Sequence, residues 1–434
     1  MNYKETIDFL YSQLPAFSSL GVKAYKADLK NIERMCALRG NPHLSFKSIH
    51  VAGTNGKGSV CHMLSSILQE AGYKTGLYTS PHIFDFSERI KINGNEIEQE
   101  FVINFVANTK NIFDDIKPSF FEYTVLMAFE YFKHSNIDVA VIETGLGGRL
   151  DSTNIISPLL SIITYVGFDH TDILGKTLNA IAEEKAGIIK PNIPVVIGSS
   201  SDETKPVFIK RANEVNAEIH FADNEYTIEF IDVSESLFYC NIKNCETGIV
   251  TKLNMDLTGI YQSRNARTVL CASSLLSKHF NISIEDFTNG LSSVIKNTGI
   301  KGRWQLISHN PFIILDVAHN QDGIAAIIDQ LVTEYPNSNY TMILGFVKDK
   351  DITSIIKKLP PHFKYVFTNA HMPRALSHKE LQLIAANAGL EGVAYDDVND
   401  AIEYAVSSGN NNDVIVVCGS FFVVAEVDVK KFSG

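Results

Sequence analysis

A chain of 434 residues is too long for one ordinary hydrophobic core, so two domains, or three, are expected. Its 45% hydrophobic and 20% charged residues are the composition of a soluble globular protein, and a formal net charge of −11 excludes a general binder of nucleic acid or of anionic membranes. Anionic ligands must then be met by local basic groups. The six cysteines (Cys36, Cys61, Cys240, Cys245, Cys271 and Cys418) show neither metal-type nor redox-type spacing and read as free thiols of a reducing compartment. The N-terminal stretch MNYKETIDFLYSQL is charged and amphipathic, unlike a signal peptide, and no apolar run is long enough to span a membrane. A cytoplasmic protein is expected.

In chain order, residues 1–47 read as helices and a loop ahead of the first strand, broken at Leu38-Arg39-Gly40-Asn41-Pro42. From Ser48 to Gly72 a short apolar strand runs through Gly53-Thr54-Asn55-Gly56-Lys57-Gly58-Ser59 into a helix. Its apolar residues Val60, Met63, Leu64, Ile67 and Leu68 follow one helical face, and Gly72 is the stop. Strand, glycine-rich turn and helix make a phosphate cradle. Glycines turn backbone N–H groups inward, the helix N-terminus is electropositive, and Lys57 adds a full charge. Ser59 would place a hydroxyl on a magnesium ion. The spacing departs from the common P-loop, because only Thr54 and Asn55 separate Gly53 from Gly56, and Gly58 stands between Lys57 and Ser59. A plain glycine turn accounts for the glycines but not for Asn-Gly-Lys-Gly-Ser at a helix entrance.

Thr75–Thr79 is a second strand, ending at Ser80-Pro81-His82, and residues 96–115 and 122–135 are helix-like. Asp138–Thr144 is a strand too apolar to have a wet face; Leu159–Val166 and Pro194–Gly198 are further strands around a helix at 177–187. Strands alternating with helices imply a mostly parallel sheet covered on both faces, with ligands at the carboxyl ends of its strands. Gly53–Ser59, Ser80, Glu143 and Asp169-His170 all fall there. Glu143 ends a buried strand, as the magnesium-handling acid of a nucleotide site would; the alternative is a carboxylate satisfied by the amides of Thr144-Gly145-Leu146-Gly147-Gly148. A lone His170 would more often be structural, but beside Asp169 it is a ligand candidate.

Between about 219 and 258 short alternating runs read as antiparallel strands, and helices resume at 262–279 and 283–295. Residues 297–302 look like a linker, which divides the chain into domains at 1–296 and 303–434. The second repeats the alternation, with strands at Phe312–Val317, Thr341–Phe346, Tyr365–Thr368 and Asp413–Cys418 among helices at 323–334, 351–358, 377–388 and 398–407. This is a smaller Rossmann-like α/β domain with no glycine fingerprint, so dinucleotide binding is not indicated.

These residues together resemble the folylpolyglutamate synthase/dihydrofolate synthase family, within the Mur-ligase-type ATP-dependent amide ligases. The likeness is carried by GTNGKGS at 53–59, TSPH at 79–82, FFEY at 120–123, ETGLGGRLDSTN at 143–154, DHTDILG at 169–175, EKAGI at 184–188, GRWQ at 302–305, DVAHN at 316–320 and CGSFF at 418–422. The resemblance implies a P-loop-containing domain, here 1–296, and a C-terminal glutamate-ligase domain. It implies a reaction in which ATP phosphorylates a folate or dihydropteroate carboxylate and L-glutamate attacks the acyl phosphate. Lys57 and the loop residues Gly53, Thr54, Asn55, Gly56, Gly58 and Ser59 would hold the phosphates. Ser80, Glu143, His170 and Lys185 match the ligands of two magnesium ions, with Lys185 carbamylated by carbon dioxide. From spacing alone Lys185 is a lysine near a helix end, a partner of the dipole.

By the same resemblance Asn265, Arg303 and Asp316 contact ATP, with domain closure bringing Arg303 onto the phosphates. His319 and Ser420 lie near ATP and the incoming glutamate, His319 being the candidate general base, and Phe121 and Glu122 lie along the pterin side of the folate pocket. A monomer is expected, with no nucleic acid or membrane partner. Bifunctional members carry an N-terminal Asp-Leu-Gly-Leu-x-Arg loop, for which this chain has Asp28-Leu29-Lys30-Asn31-Ile32-Glu33-Arg34, whereas Pro373-Arg374-Ala375-Leu376 keeps a segment of polyglutamylating members. Two alternatives stand beside this reading. A peptidoglycan-type Mur ligase would have a UDP-binding domain of about a hundred residues before the loop, where about fifty residues stand here. A non-ligating nucleotide-binding regulator would not need Asp316, His319 and Ser420 at strand ends of a second domain.

Overall fold

The apolar run Lys47–Ala52 forms β1, which lies inside an eight-stranded sheet. The computed structural model describes residues 1–16, 21, 26–234, 237–410 and 412–433, in two compact units, Met1–Ile300 and Lys301–Gly434. In the first, β1 pairs in parallel with β5 (Val139–Glu143) on one side and β6 (Leu160–Ile163) on the other. Beyond β5 lies β2 (Thr75–Tyr78); beyond β6 lie β7 (Val195–Ile197) and β8 (Ile219–Phe221), all parallel. Two short antiparallel strands, β3 (Ile90–Ile92) and β4 (Asn95–Glu96), finish the edge next to β2.

The continuous apolar strands require helices on both faces. Along β5, Val139 and Val141 join the core formed with the helices Lys57–Glu70, Gln262–Leu276 and Ile284–Ser292, while Ala140 and Ile142 join that of Gln99–Thr109 and Phe120–His134. Alternate side chains thus anchor opposite layers. Because the chain leaves β1 toward β2 and later places β6 on its other side, the order reverses beside β1. In such sheets that reversal frames a crevice over the carboxyl ends of the strands, the place where they bind ligands. The helix Lys57–Glu70 is buried over nearly its whole length, and its backbone lies so close to the helix Ile284–Ser292 that a Cβ on Gly290 would stand 2.6 Å from Ile67 Cα.

A three-stranded antiparallel sheet of β9 (Tyr226–Ser234), β10 (Leu237–Asn244) and β11 (Val250–Met255) adds Phe238, Cys240, Ile242 and Leu253 to the same core. The second unit holds a six-stranded sheet in the order β12 (Gln305–His309), β13 (Phe312–Leu315), β17 (Val414–Cys418), β14 (Tyr340–Leu344), β15 (Lys364–Phe367), β16 (Gly392–Ala394). Only the β12–β13 pair is antiparallel. Five of the six cysteines are buried and Cys245 is exposed. Among the described residues, no helix is long and apolar enough to cross a membrane.

Several elements differ from the sequence expectation. Ile219–Phe221 extends the parallel sheet instead of opening the antiparallel one, since the helix Lys205–Glu214 returns the chain from β7 as a parallel crossover. Ser236, expected to begin a strand, lies outside the described residues. The stretch 96–115 divides at Lys110 into the helices Gln99–Thr109 and Asn111–Ile116. Asn297 and Thr298, expected in the linker, close the helix Val294–Thr298. There Thr298 is buried, its carbonyl accepting from Lys91 Nζ at 2.8 Å and its hydroxyl bonded to His62 Nδ1 at 2.8 Å. The strands β3, β4 and β16 have only two or three residues, too short for periodicity to reveal, and the five-residue β12 is a further strand outside the sequence expectation.

Gly290→Val forces side-chain atoms into the Ile67 backbone. We expect a loss of about 1–3 kcal/mol, read as a lowered midpoint in urea unfolding.

Candidate active site

The strand β1 delivers Gly53 to the crevice and Gly56 caps the helix that begins at Lys57. Gly56 has φ +90°, and a Cβ there would overlap Asn265 Oδ1; one on Gly53 would overlap Thr164 Oγ1. Both positions therefore need glycine for room as well as for torsion. The loop is fastened to the segment after β6. Thr54 N donates to Tyr165 O at 2.6 Å, Thr164 Oγ1 to Asn55 O at 2.7 Å, and Thr54 Oγ1 to Gly167 O at 3.1 Å. Asn265 is buried and held by Gln262, with Nδ2 to Oε1 at 2.7 Å.

Two lysines converge on this loop. Lys57 Nζ donates to Gly53 O at 3.1 Å and Thr54 O at 3.2 Å, and Lys185 Nζ donates to Gly53 O at 2.8 Å. Lys185 lies in the last turn of the helix Leu178–Ala186 and is 3% exposed. Burial, and then the charge of Lys57, push its pKa down to about 7 against the pull of Asp169 and Asp151. Much of this amine is then neutral near physiological pH and available as a nucleophile.

Glu143, at the end of β5, is 5% exposed, and its Oε2 accepts from Ser80 N at 3.1 Å, so these two candidates meet. Leu146 N, in the glycine loop after Glu143, instead donates to Asp151 Oδ2 at 2.8 Å. Asp151 is buried, which raises its pKa against several hydrogen bonds, and Thr153 N also caps onto it at 2.9 Å. His170 adopts φ +50°, with its amide on Asp169 Oδ1 at 2.9 Å and its Nε2 3.8 Å from Asp169 Oδ2. The structure thus joins Ser80 to Glu143 and His170 to Asp169; hydroxyl, carboxylate and imidazole of the expected ligands Ser80, Glu143 and His170 are donor types that would suit magnesium or manganese. His82 of the TSPH stretch is a structural residue. Arg89 Nε donates to its Nδ1 at 2.8 Å, and burial with that charge lowers its pKa to about 3.

Phe121 and Glu122 open the helix Phe120–His134. Phe121 covers Gly145 so closely that its ring fills the space of a Cβ. Glu122 is 2% exposed and completes a capping box, its Oε2 accepting from Ser119 N at 2.6 Å. Lys26 Nζ approaches that oxygen to 3.9 Å and Asn31 Nδ2 to 3.4 Å, while Oε1 has no hydrogen-bond partner among the described residues.

In the second unit Asp316 is buried, Oδ2 accepting from Trp304 N at 2.7 Å and Oδ1 from Ala318 N at 2.8 Å. Its carboxylate thereby fixes Trp304 at φ +52°. The Arg303 guanidinium lies 5.3 Å from the centre of the Phe421 ring, and His319 packs on the same ring at 5.6 Å with Nδ1 2.9 Å from Val317 O. Ser420 Oγ caps the helix Phe421–Ala425 by accepting from Phe422 N at 3.1 Å. Arg303, His319 and Ser420 thus gather around Phe421. Sequence reasoning missed Thr164 and Asp151. Thr164 reads as interior to an apolar strand, but it is the first residue past β6, level with the loop that follows β1.

Residues 51–273 match the family model of the Mur ligase middle domain, and residues 302–421 that of the Mur ligase glutamate ligase domain. A Mur-ligase-type architecture is the class that fold and site define. The chain is 32% identical over 413 residues to the dihydrofolate synthase/folylpolyglutamate synthase of Bacillus subtilis, covering 93% of this chain and 94% of that one. Escherichia coli FolC, solved in complex with DHPP and ADP, superposes with a TM-score of 0.84 at 28% identity, over 97% of this chain and 96% of that one. The bifunctional folylpolyglutamate synthase/dihydrofolate synthase of Yersinia pestis, solved with AMPPNP and a Mn ion, gives 0.83 at 28%, over 98% and 97%. The chain belongs to the folylpolyglutamate synthase/dihydrofolate synthase family.

Between about pH 7 and the ordinary lysine value of 10.5 the unfolded chain binds a proton that folded Lys185 does not, so this group makes stability rise with pH across that window. Lys185→Met removes that slope, up to about 1.4 kcal/mol per pH unit. Urea unfolding of both proteins at pH 7.5 and pH 9 reads the difference.

Proposed function

We propose that this chain is an ATP-dependent ligase that adds L-glutamate to folates, releasing ADP and phosphate, and that dihydropteroate is its second acceptor. The observation that carries the reading is the clamped loop Gly53–Ser59 with Lys57 and Lys185 converging on Gly53 O at the sheet's switch point. In this reading Met1–Ile300 is the ATP-binding domain and Lys301–Gly434 the glutamate-ligase domain. The nucleotide and DHPP held by the Escherichia coli relative, and the Mn ion in the Yersinia pestis one, support it.

The loop amides and Lys57 hold the β- and γ-phosphates at the helix N-terminus. The acceptor carboxylate attacks the γ-phosphorus, the bond to the bridging oxygen breaks, and ADP leaves with that electron pair. The glutamate amine then attacks the acyl carbon, loses a proton and expels phosphate, leaving an amide. Two magnesium ions, held by Ser80, Glu143, His170 and a carbamylated Lys185, would supply Lewis-acid neutralisation of the phosphate charge. Neutral Lys185 can add to carbon dioxide and release one proton, which turns a buried neutral amine into an anionic oxygen donor. Asn265, Arg303 and Asp316 serve ATP, Ser420 the glutamate, and His319 accepts the ammonium proton. Phe121 and Glu122 line the folate side, and Asn31 touches Glu122. Most of the altered N-terminal motif, expected as a loop, is the start of the helix Lys30–Leu38, and that helix is where acceptor choice would be felt. The enzyme is read as a cytoplasmic monomer.

ADP release by the purified protein with magnesium and bicarbonate tests this, with glutamate alone, with added tetrahydrofolate, or with added dihydropteroate. Both pterins should raise release above the glutamate blank; tetrahydrofolate alone would limit the enzyme to polyglutamylation, and neither would refute the folate assignment. Lys57→Ala should cost about a hundredfold or more in turnover.

A further inference from the structure

We propose that His220, Glu225 and Cys271 form a second, structural metal site, one for a divalent transition ion of the zinc type. His220 lies on β8, the last strand of the large sheet, opposite Val196 of β7. Glu225 ends the short helix Ala222–Glu225 just before β9, and Cys271 projects from the helix Gln262–Leu276. One donor atom from each lies within 4.8 Å of the others, and among the described residues no other trio of His, Cys, Asp or Glu side chains does so. His220 Nδ1 is 2.9 Å from Glu225 Oε1, and Cys271 Sγ is 3.7 Å from Glu225 Oε2. Ligand bonds of ~2.0–2.3 Å around a tetrahedral ion set donor separations of roughly 3.2–3.8 Å, so small side-chain shifts complete the set.

The surroundings point the same way. The other ring nitrogen, His220 Nε2, stands 3.0 Å from Glu218 Oε1, the outer carboxylate that metal-bound histidines commonly use to fix ring and tautomer. Cys271 is 1% exposed at the margin of the hydrophobic core, with its sulfur against the Glu225 carboxylate, while His220 keeps 20% and Glu225 38% of the side chain open for entry of an ion and a fourth, water ligand. Burial and the charge of Glu225 hold the Cys271 thiol protonated well above its usual range, so an ion must displace that proton to solvent on binding. Thiolate and carboxylate then neutralise the two positive charges. Spacing in the sequence hides the site, because its ligands come from three elements. The ion would tie the sheet edge and the root of β9 to the helix that carries Asn265 against Gly56.

Cobalt(II) titration of the chelator-treated full-length protein tests this, by the near-ultraviolet thiolate-to-cobalt absorption. We expect a band that saturates at one equivalent, disappears on adding zinc, and is lost in Cys271→Ser and in His220→Ala. Cys245→Ser, at the exposed thiol, should keep it. If Cys271→Ser does not fold, Glu225→Gln and Glu218→Gln decide, each expected to weaken cobalt binding tenfold or more. No band in the unmodified protein, a band that follows Cys245, or unchanged affinity in the glutamate variants would leave a hydrogen-bonded cluster only and overturn the proposal.

Discussion

The site depends on a lack of space beneath the phosphate loop. Gly53 and Gly56 rest directly on Thr164 and Asn265, so the loop has one position, set by β1, by the end of β6 and by the helix Gln262–Leu276. That helix is held in turn by the core that packs Val269, Ala272 and Leu276 with the helix Lys57–Glu70 and the antiparallel sheet. Close-packed interiors transmit small displacements instead of absorbing them. A core residue far from the crevice therefore bears on where the backbone amides of the loop stand.

The same crowding settles the electrostatics. The protein is acidic overall, yet two lysines and a helix N-terminus share one carbonyl neighbourhood. Lys185 has been taken out of water to reach Gly53 O, and its lowered pKa is the cost of that desolvation in the presence of Lys57. A buried carboxylate, Glu143, lies on the same edge, with its oxygen on the Ser80 amide. Positive groups, Lys57 and the helix N-terminus, thus stand beside carboxylates within a few residues of the crevice.

Much of this was legible in the chain. The glycine-lysine loop announced itself because a strand, a turn and an amphipathic helix follow each other without interruption, and strand-end positions follow once the sheet is parallel. What stayed hidden is non-local or short. Thr164 supports a loop more than a hundred residues earlier, and nothing beside it marks that role. β8 is three residues long and its pairing is decided by the crossover helix before it. Glu122 shows how two readings can share a residue. Ser119-x-x-Glu122 is a helix-capping pattern in plain view, and the structure uses the carboxylate that way while also drawing Lys26 and Asn31 toward it.

Lys57 donates to Gly53 O and Thr54 O, so its ammonium is already solvated by its own loop. Binding a ligand is then an exchange, in which new partners must outcompete two carbonyl dipoles, and only the difference between the two sets appears as affinity. A neutral or singly charged intruder gains little from such an exchange, whereas a polyphosphate offers full negative charges at short range. The resting contact therefore acts as a filter on charge density, and it keeps the loop ordered while it waits.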